Sequence, residues 1–228
     1  MSTTPGLSFL TQFPFGYLRR VPLPGIDVAL GVTTHQLAEA VRLAIVGAAR
    51  GRRSSARIAK ALEVVVNGAW RSAYPDSIHS AEVAQHAARG AMHAADETEL
   101  SEGQLARQAV LGVVRGMRQP GVDPRDVLRG VGQGIVQGAS ETEADVTQAV
   151  GAALKAAVQE ATQADMSGEE AAVHLARGAM EAAMSLGPAE AAEVEASLPE
   201  EVAEKAVAMT GDEGADCRRA SDEATGAE

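Results

Sequence analysis

Aromatic side chains are nearly missing from this chain, with Trp, Tyr and Phe making up 3% of 228 residues. The hydrophobic content is an ordinary 46%, but alanine is prominent in it. Small side chains bury little area at about 25 cal/mol per Å². Any core must therefore be thin, and the deficit has to be met by close backbone packing, by neighbouring subunits or by a surface. A homo-oligomer is the expectation.

Cysteine is almost absent too. Cys217 stands alone, so no internal disulfide is possible and a reducing compartment, the cytoplasm, is the natural reading. Long apolar runs are lacking, as is a basic start followed by an apolar stretch and a small-residue cleavage site, which argues against spanning and secretion. The usual catalytic patterns are missing: no Gly-x-Ser-x-Gly elbow, no phosphate loop, no His-Glu-x-x-His and no clustered cysteines. Gly130-Val-Gly132-Gln-Gly134 is glycine-rich, but no strand precedes it to make a dinucleotide fingerprint. No catalytic residue, cofactor or metal site is expected, and the chain reads as non-enzymatic.

Charge is present but unevenly placed. The net charge is −11, yet residues 1 to 60 hold eight Lys/Arg against two Asp/Glu. An acidic total argues against specific nucleic-acid binding. Arg50, Arg52, Arg53, Arg57 and Lys60 bracket one expected turn and form a candidate anion or inter-subunit contact. No aromatics interleave them as base-stacking platforms would require, and pairing with the acidic later units of an assembly is favoured.

A repeat is what the chain has in quantity. A small residue followed four positions later by another recurs as Gly47/Gly51, Gly68/Ser72, Gly90/Ala94, Gly112/Gly116, Gly134/Gly138, Ala153/Ala157 and Gly178/Ala182. Successive first members are 21, 22, 22, 22, 19 and 25 residues apart, so the phase is kept. The segments His86–Ala95 and His174–Ala183 match almost letter for letter. Small residues four apart share one helix face and let a partner backbone approach, so these fourteen positions are the expected helix-packing residues. Glycine inside a helix costs about 1 kcal/mol against alanine, and close packing is the compensating gain.

Cap and stop signals divide the units. Ser80, Ser101, Asp123 and Ser167 stand where helices start, and Pro75, Pro120-Gly121 and Gly187-Pro188 where they stop. The prediction is an all-α protein of about seven antiparallel helices at 34–50, 55–73, 80–95, 102–118, 124–139, 143–163 and 168–185, in a bundle or α-solenoid-like stack. A weaker helix covers 188–209, interrupted at Pro199. Two units make about 44 residues, the period of helical hairpins. The rival is a continuous rod, because 22 is twice eleven.

The ends differ from this domain. Residues 1–33 form an irregular arm in which Phe9, Phe13, Phe15 and Tyr17 are candidate partner contacts, with Pro14 and Gly16 against a regular helix. Residues 210–228 read as a disordered acidic tail. His79, His86 and His93 are seven apart, about 10.5 Å along a helix, too far for one ion. His86 and His174 share a repeat position and could meet only if units four apart are neighbours.

Taken together, a self-associating scaffold or protein-interaction module is expected. In its Ala-rich, Cys-poor, amphipathic style the chain is similar to phasins, and that resemblance implies the alternative of a coat on a lipid or polyester granule through peripheral contact with an anionic or hydrophobic surface. An enzyme with a site between helices is the third class.

Overall fold

The computed structural model describes residues 26–49, 55–72 and 79–210, with side chains described from residue 36 onward and Ser72's excepted. The aromatic arm through Tyr17, the basic residues Arg50, Arg52 and Arg53, Gly51 and the tail beyond 210 lie outside the described residues.

Helix boundaries follow from local chemistry. The Ser101 hydroxyl accepts from the Gln104 amide at 3.3 Å while the Gln104 side chain accepts from the Ser101 amide at 3.1 Å, a complete capping box for α4 (Glu102–Gly116). Asp123 accepts from the Arg125 amide at 2.8 Å ahead of Pro124, which opens α5 (Pro124–Glu141) at a position that has no amide bond to lose. Asp145 caps α6 (Val146–Glu160) and Ser167 caps α7 (Gly168–Leu186) in the same manner. Ser80 does not cap: it is already inside α3 (Ser80–Met92), and His79 precedes it without a side-chain bond. Gly121, at φ 83, turns the chain between α4 and α5 where an L side chain would be strained.

Three further boundaries depart from expectation. Helix α1 (Ile26–Ala49) begins well before residue 34, since Gly31 and Thr33 cost only propensity. The 80–95 and 143–163 helices stop early and tighten into short 3-10 turns at Ala95–Glu97 and Ala161–Ala164. The last stretch, in contrast, is interrupted at Pro199 as expected, giving α8 (Pro188–Ser197) and a helix over 200–210, here α9. With α2 (Ser55–Ser72) the described residues are all-helical and contain no strand. Continuous rods are ruled out by the breaks.

Each helix packs on its neighbour in sequence and also on the helix two positions along. Helices α1, α3, α5 and α7 thereby form one layer, and α2, α4, α6 and α8 the other, with short turns making consecutive helices antiparallel. Helix α9 reaches back to the first layer through Lys205, which pairs with Glu169 on α7. Between the layers run Ile45, Ile58, Leu62, Met92, Leu105, Leu128, Ile135 and Leu175, all fully buried among alanines.

One polar group is buried at a cost. The Gln108 side-chain oxygen, on α4, has no hydrogen-bond partner and the residue is 5% exposed. Leucine has similar size and helix propensity, so Gln108→Leu should stabilise the protein by about 1 kcal/mol, the desolvation cost of an unmatched buried oxygen. A urea titration checks this; an unchanged or lower midpoint would mean that the oxygen is satisfied in solution.

Candidate functional site

The features that distinguish this fold are its seams, where helices of the same layer touch backbone to backbone. A Cβ added to Gly90 would land on the backbone of Ala38 in α1. One at Gly134 would strike the carbonyl oxygen of Gln85 and come within 2.9 Å of the Arg89 nitrogen; one at Gly138 would sit 3.0 Å from the Arg89 carbonyl oxygen. Gly178 stands against Arg129 in the same way, joining α7 to α5. In the second layer Gly112 and Gly116 approach Ala59, Leu62, Glu63 and Val66 of α2. Ala94, Ala153, Ala157 and Ala182 are buried, filling the corresponding places with one methyl each.

Two of the fourteen expected packing positions behave differently. Around Gly47 and Gly68 nothing stands within 4 Å of an added Cβ among the described residues. The reason is positional: apart from Gly132, the seam glycines meet a helix of the preceding hairpin, and α1–α2 is the first hairpin among the described residues. Two glycines with seam roles escaped the sequence reading. Gly130 abuts Ala81 and extends the α3 seam by one turn, while Gly132 faces the other way onto Leu175 and Ala179 of α7. The four-residue spacing of Gly130, Gly134 and Gly138 was the signal for the first; Gly132 makes sense only once α5 is known to lie between two helices.

A ladder of polar side chains crosses the seams with its own period. Gln85 to Gln137 at 2.9 Å, Arg89 to Glu141 at 2.7 Å, Arg107 to Gln159 at 3.3 Å and Arg129 to Glu181 at 2.7 Å each link residues 52 apart. Glu141 also takes His93 at 2.6 Å, and Glu181 also accepts from Gln133 at 2.9 Å and Arg177 at 2.9 Å. Exposed pairs contribute roughly 0–1 kcal/mol each; their main effect is to fix how far one hairpin slides along the next.

The histidines form no common site. His86 lies on α3 and His174 on α7, on opposite sides of α5, while His93 is engaged with Glu141. Among the described residues no group of His, Cys, Asp and Glu is arranged to hold a metal. The His174 pKa is lowered, first by partial burial and then by the nearby Arg125 charge, with Glu170 opposing, Arg177 adding to the lowering and Asp123 opposing in turn. The unfolded chain then takes up this proton before the folded one does. That contribution is complete above pH 6.5, the usual value, and declines as pH falls below it. His174→Gln should therefore reduce the drop in melting temperature between about pH 7.5 and about pH 5.5; an equal drop in both proteins would place the acid sensitivity elsewhere.

Two concavities stand out among the described residues. A cleft of about 190 Å³ lies beside the α4–α5 turn, lined by Val114, Arg115, Met117, Val122, Val127 and Glu160 among others. It is small for a ligand site, and of the charges that line it, with Arg118 and Asp165 among them, Arg115 and Glu160 are spent on each other through two hydrogen bonds of 3.0 and 2.5 Å. The Glu160 carboxylate holds the Arg115 pKa above its ordinary value. The second is an open groove between α8 and α9 with Leu198, Ala203 and Val207 on its floor and Glu195, Glu200 and Glu204 on its rim. Of the basic cluster, Arg57 and Lys60 are described; both are exposed, and Lys60 pairs with Glu63 of its own helix at 2.5 Å.

Antiparallel hairpins stacked in two layers, each packed mainly on its neighbours among the described residues, define a helical-repeat protein of the α-solenoid kind. Neither a protein-family model nor a curated protein matches the chain. Among solved structures it is similar to the crystal structure of the de novo designed helical repeat protein DHR7, at 22% identity and a TM-score of 0.44, over 75% of this chain and 90% of that one. No helix of the described residues is long and apolar enough to cross a membrane.

Proposed function

We propose that this protein is a non-enzymatic scaffold that self-associates and presents a rigid repeat surface. The observation that carries the reading is the investment of glycine in seams: backbone contact across α1–α3, α3–α5 and α5–α7 holds the hairpins in one fixed register. The polar groups support it, because the ladder charges and the Arg115–Glu160 pair of the cleft satisfy one another. A surface coat would need the apolar helix faces free to lie on lipid or polymer, and in this fold those faces make the core. The aromatic arm with Phe9, Phe13, Phe15 and Tyr17 remains the proposed contact for a further protein partner.

The test is molar mass by light scattering on the full chain and on a form lacking residues 1–33, each with and without anionic vesicles. A discrete, concentration-dependent assembly that ignores vesicles is expected. A monomer that binds vesicles would overturn the scaffold and favour the coat.

A further inference from the structure

The first repeat carries a face that every later repeat buries. On α2 the residues Arg57, Ala61, Val64 and Gly68 form one stripe, and the 44-residue period aligns them with Ser101, Leu105, Gln108 and Gly112 on α4. On α4 this stripe packs on α2: Leu105 is fully buried and Gln108 is 5% exposed. On α2 it is open, with Val64 59% exposed and free space around Gly68 among the described residues. Helix α1 repeats the pattern beside it, where Gly47 is exposed and aligned with the buried Gly90.

What completes such a face inside the chain is a pair of adjacent helices from another hairpin. The preceding 25 residues lie outside the described part and carry Pro5, Pro14, Pro22 and Pro24, a residue type that disfavours helix interiors. The opposite end of the molecule does offer a helix pair. Between α8 and α9 lies the groove floored by Leu198, Ala203 and Val207, the last 43% exposed, and rimmed by Glu195, Glu200 and Glu204. Charge matches as well, because Arg57, Lys60 and Arg71 stand exposed on α2.

We infer that the chain stacks head to tail on a second copy of itself, the α8–α9 face of one copy covering the α1–α2 face of the next in continuation of the internal seams. This rests on the scaffold reading and specifies its contact. The joint is heterologous, so each copy keeps one free face at either end and assembly is open-ended unless it closes into a ring.

Two variants test it. Val64→Glu with Gly68→Glu blocks the first face, where the open space allows folding to proceed, and Glu200→Lys with Val207→Lys blocks the last; helicity and melting temperature confirm that both fold. The wild-type mass should rise with protein concentration and fall with salt. Each variant alone should be monomeric, with association weakened at least about 10-fold, equivalent to about 1.4 kcal/mol. Their mixture should stop at a one-to-one pair, since only one competent joint remains. Association that survives either variant would overturn this joint while leaving a scaffold that assembles elsewhere, whereas a monomeric wild type would overturn both. If removing residues 1–25 turns a monomer into an assembly, the arm is the occupant and the inference fails. Two blocked variants that do not complement each other would also overturn it, by showing a symmetric contact.

Discussion

Gly134→Ala should lower the stability of this protein by about 2–3 kcal/mol, whereas Gly68→Ala should raise it by about 1 kcal/mol. Both glycines open the same small-residue pair in their own units, and both sit inside helices where alanine is the better former by about 1 kcal/mol. At Gly68 that gain is unopposed, since a methyl group meets nothing within 4 Å among the described residues. At Gly134 the methyl strikes the Gln85 carbonyl oxygen and lies 2.9 Å from Ala88 Cβ and from the Arg89 nitrogen. Backbone cannot turn aside as the end of a side chain can, so α3 and α5 must separate, and the displacement reaches the flanking Gly130 and Gly138 contacts. Because a repeat stack is held by nearest-neighbour interfaces, weakening the central one should also broaden or divide the unfolding transition. Melting followed by circular dichroism separates the cases; loss of stability at Gly68, or gain at Gly134, would mean the seam is looser than described.

Arg115→Met should be the costliest change among the ion pairs, at about 2 kcal/mol. The Glu160 side chain is 6% exposed and Arg115 is its clasp, whereas the ladder carboxylates Glu141 and Glu181 are 39% and 18% exposed. Removing one member of a fully buried pair costs about 3–5 kcal/mol. Arg115 is 39% exposed and water can partly replace it, which lowers the figure. Adding Glu160→Leu to Arg115→Met should recover most of the loss, because the apolar wall formed by Val114, Met117 and Val127 then has no charge to accommodate. A double-mutant cycle from urea titrations measures this, and additive losses would show that the two residues act independently.

The helices were legible because their signals are local. Ser101, Asp123 and Ser167 announce α4, α5 and α7 by side-chain geometry that involves a few neighbouring residues. The seams were legible in kind, since the spacing of Gly112/Gly116 and Gly134/Gly138 predicts close approach whatever the partner. Direction was not legible. Nothing in the sequence near Gly47 or Gly68 says that these two have open space around them, because that depends on no described hairpin lying ahead of theirs. Gly132 was overlooked for a related reason: its partner lies more than forty residues later on α7. The Arg115–Glu160 clasp was hidden by the 45 positions between its members and by the ordinary look of each residue on its own helix. Ser80 misled because a serine shortly before the acidic Glu82 resembles a cap, while the helix starts one residue earlier than that role requires.

The two layers are not equally tight. In the α1–α3–α5–α7 layer a Cβ added at Gly90, Gly130, Gly132, Gly134 or Gly178 would strike a backbone oxygen outright, whereas in the other layer Gly112 and Gly116 would meet backbone oxygen at 3.0 and 2.9 Å, and α6 carries Ala153 and Ala157 in place of glycine. Each hairpin is thus a wedge, thinner on its glycine side. Wedges laid in one register are expected to trace an arc, with α3, α5 and α7 toward its concave side and α4 and α6 toward its convex side. The Arg89–Glu141 and Arg129–Glu181 rungs then act as stays across the inner curve. Copies joined in the same register inherit that bend, so their path is a hoop or a coil and not a straight filament.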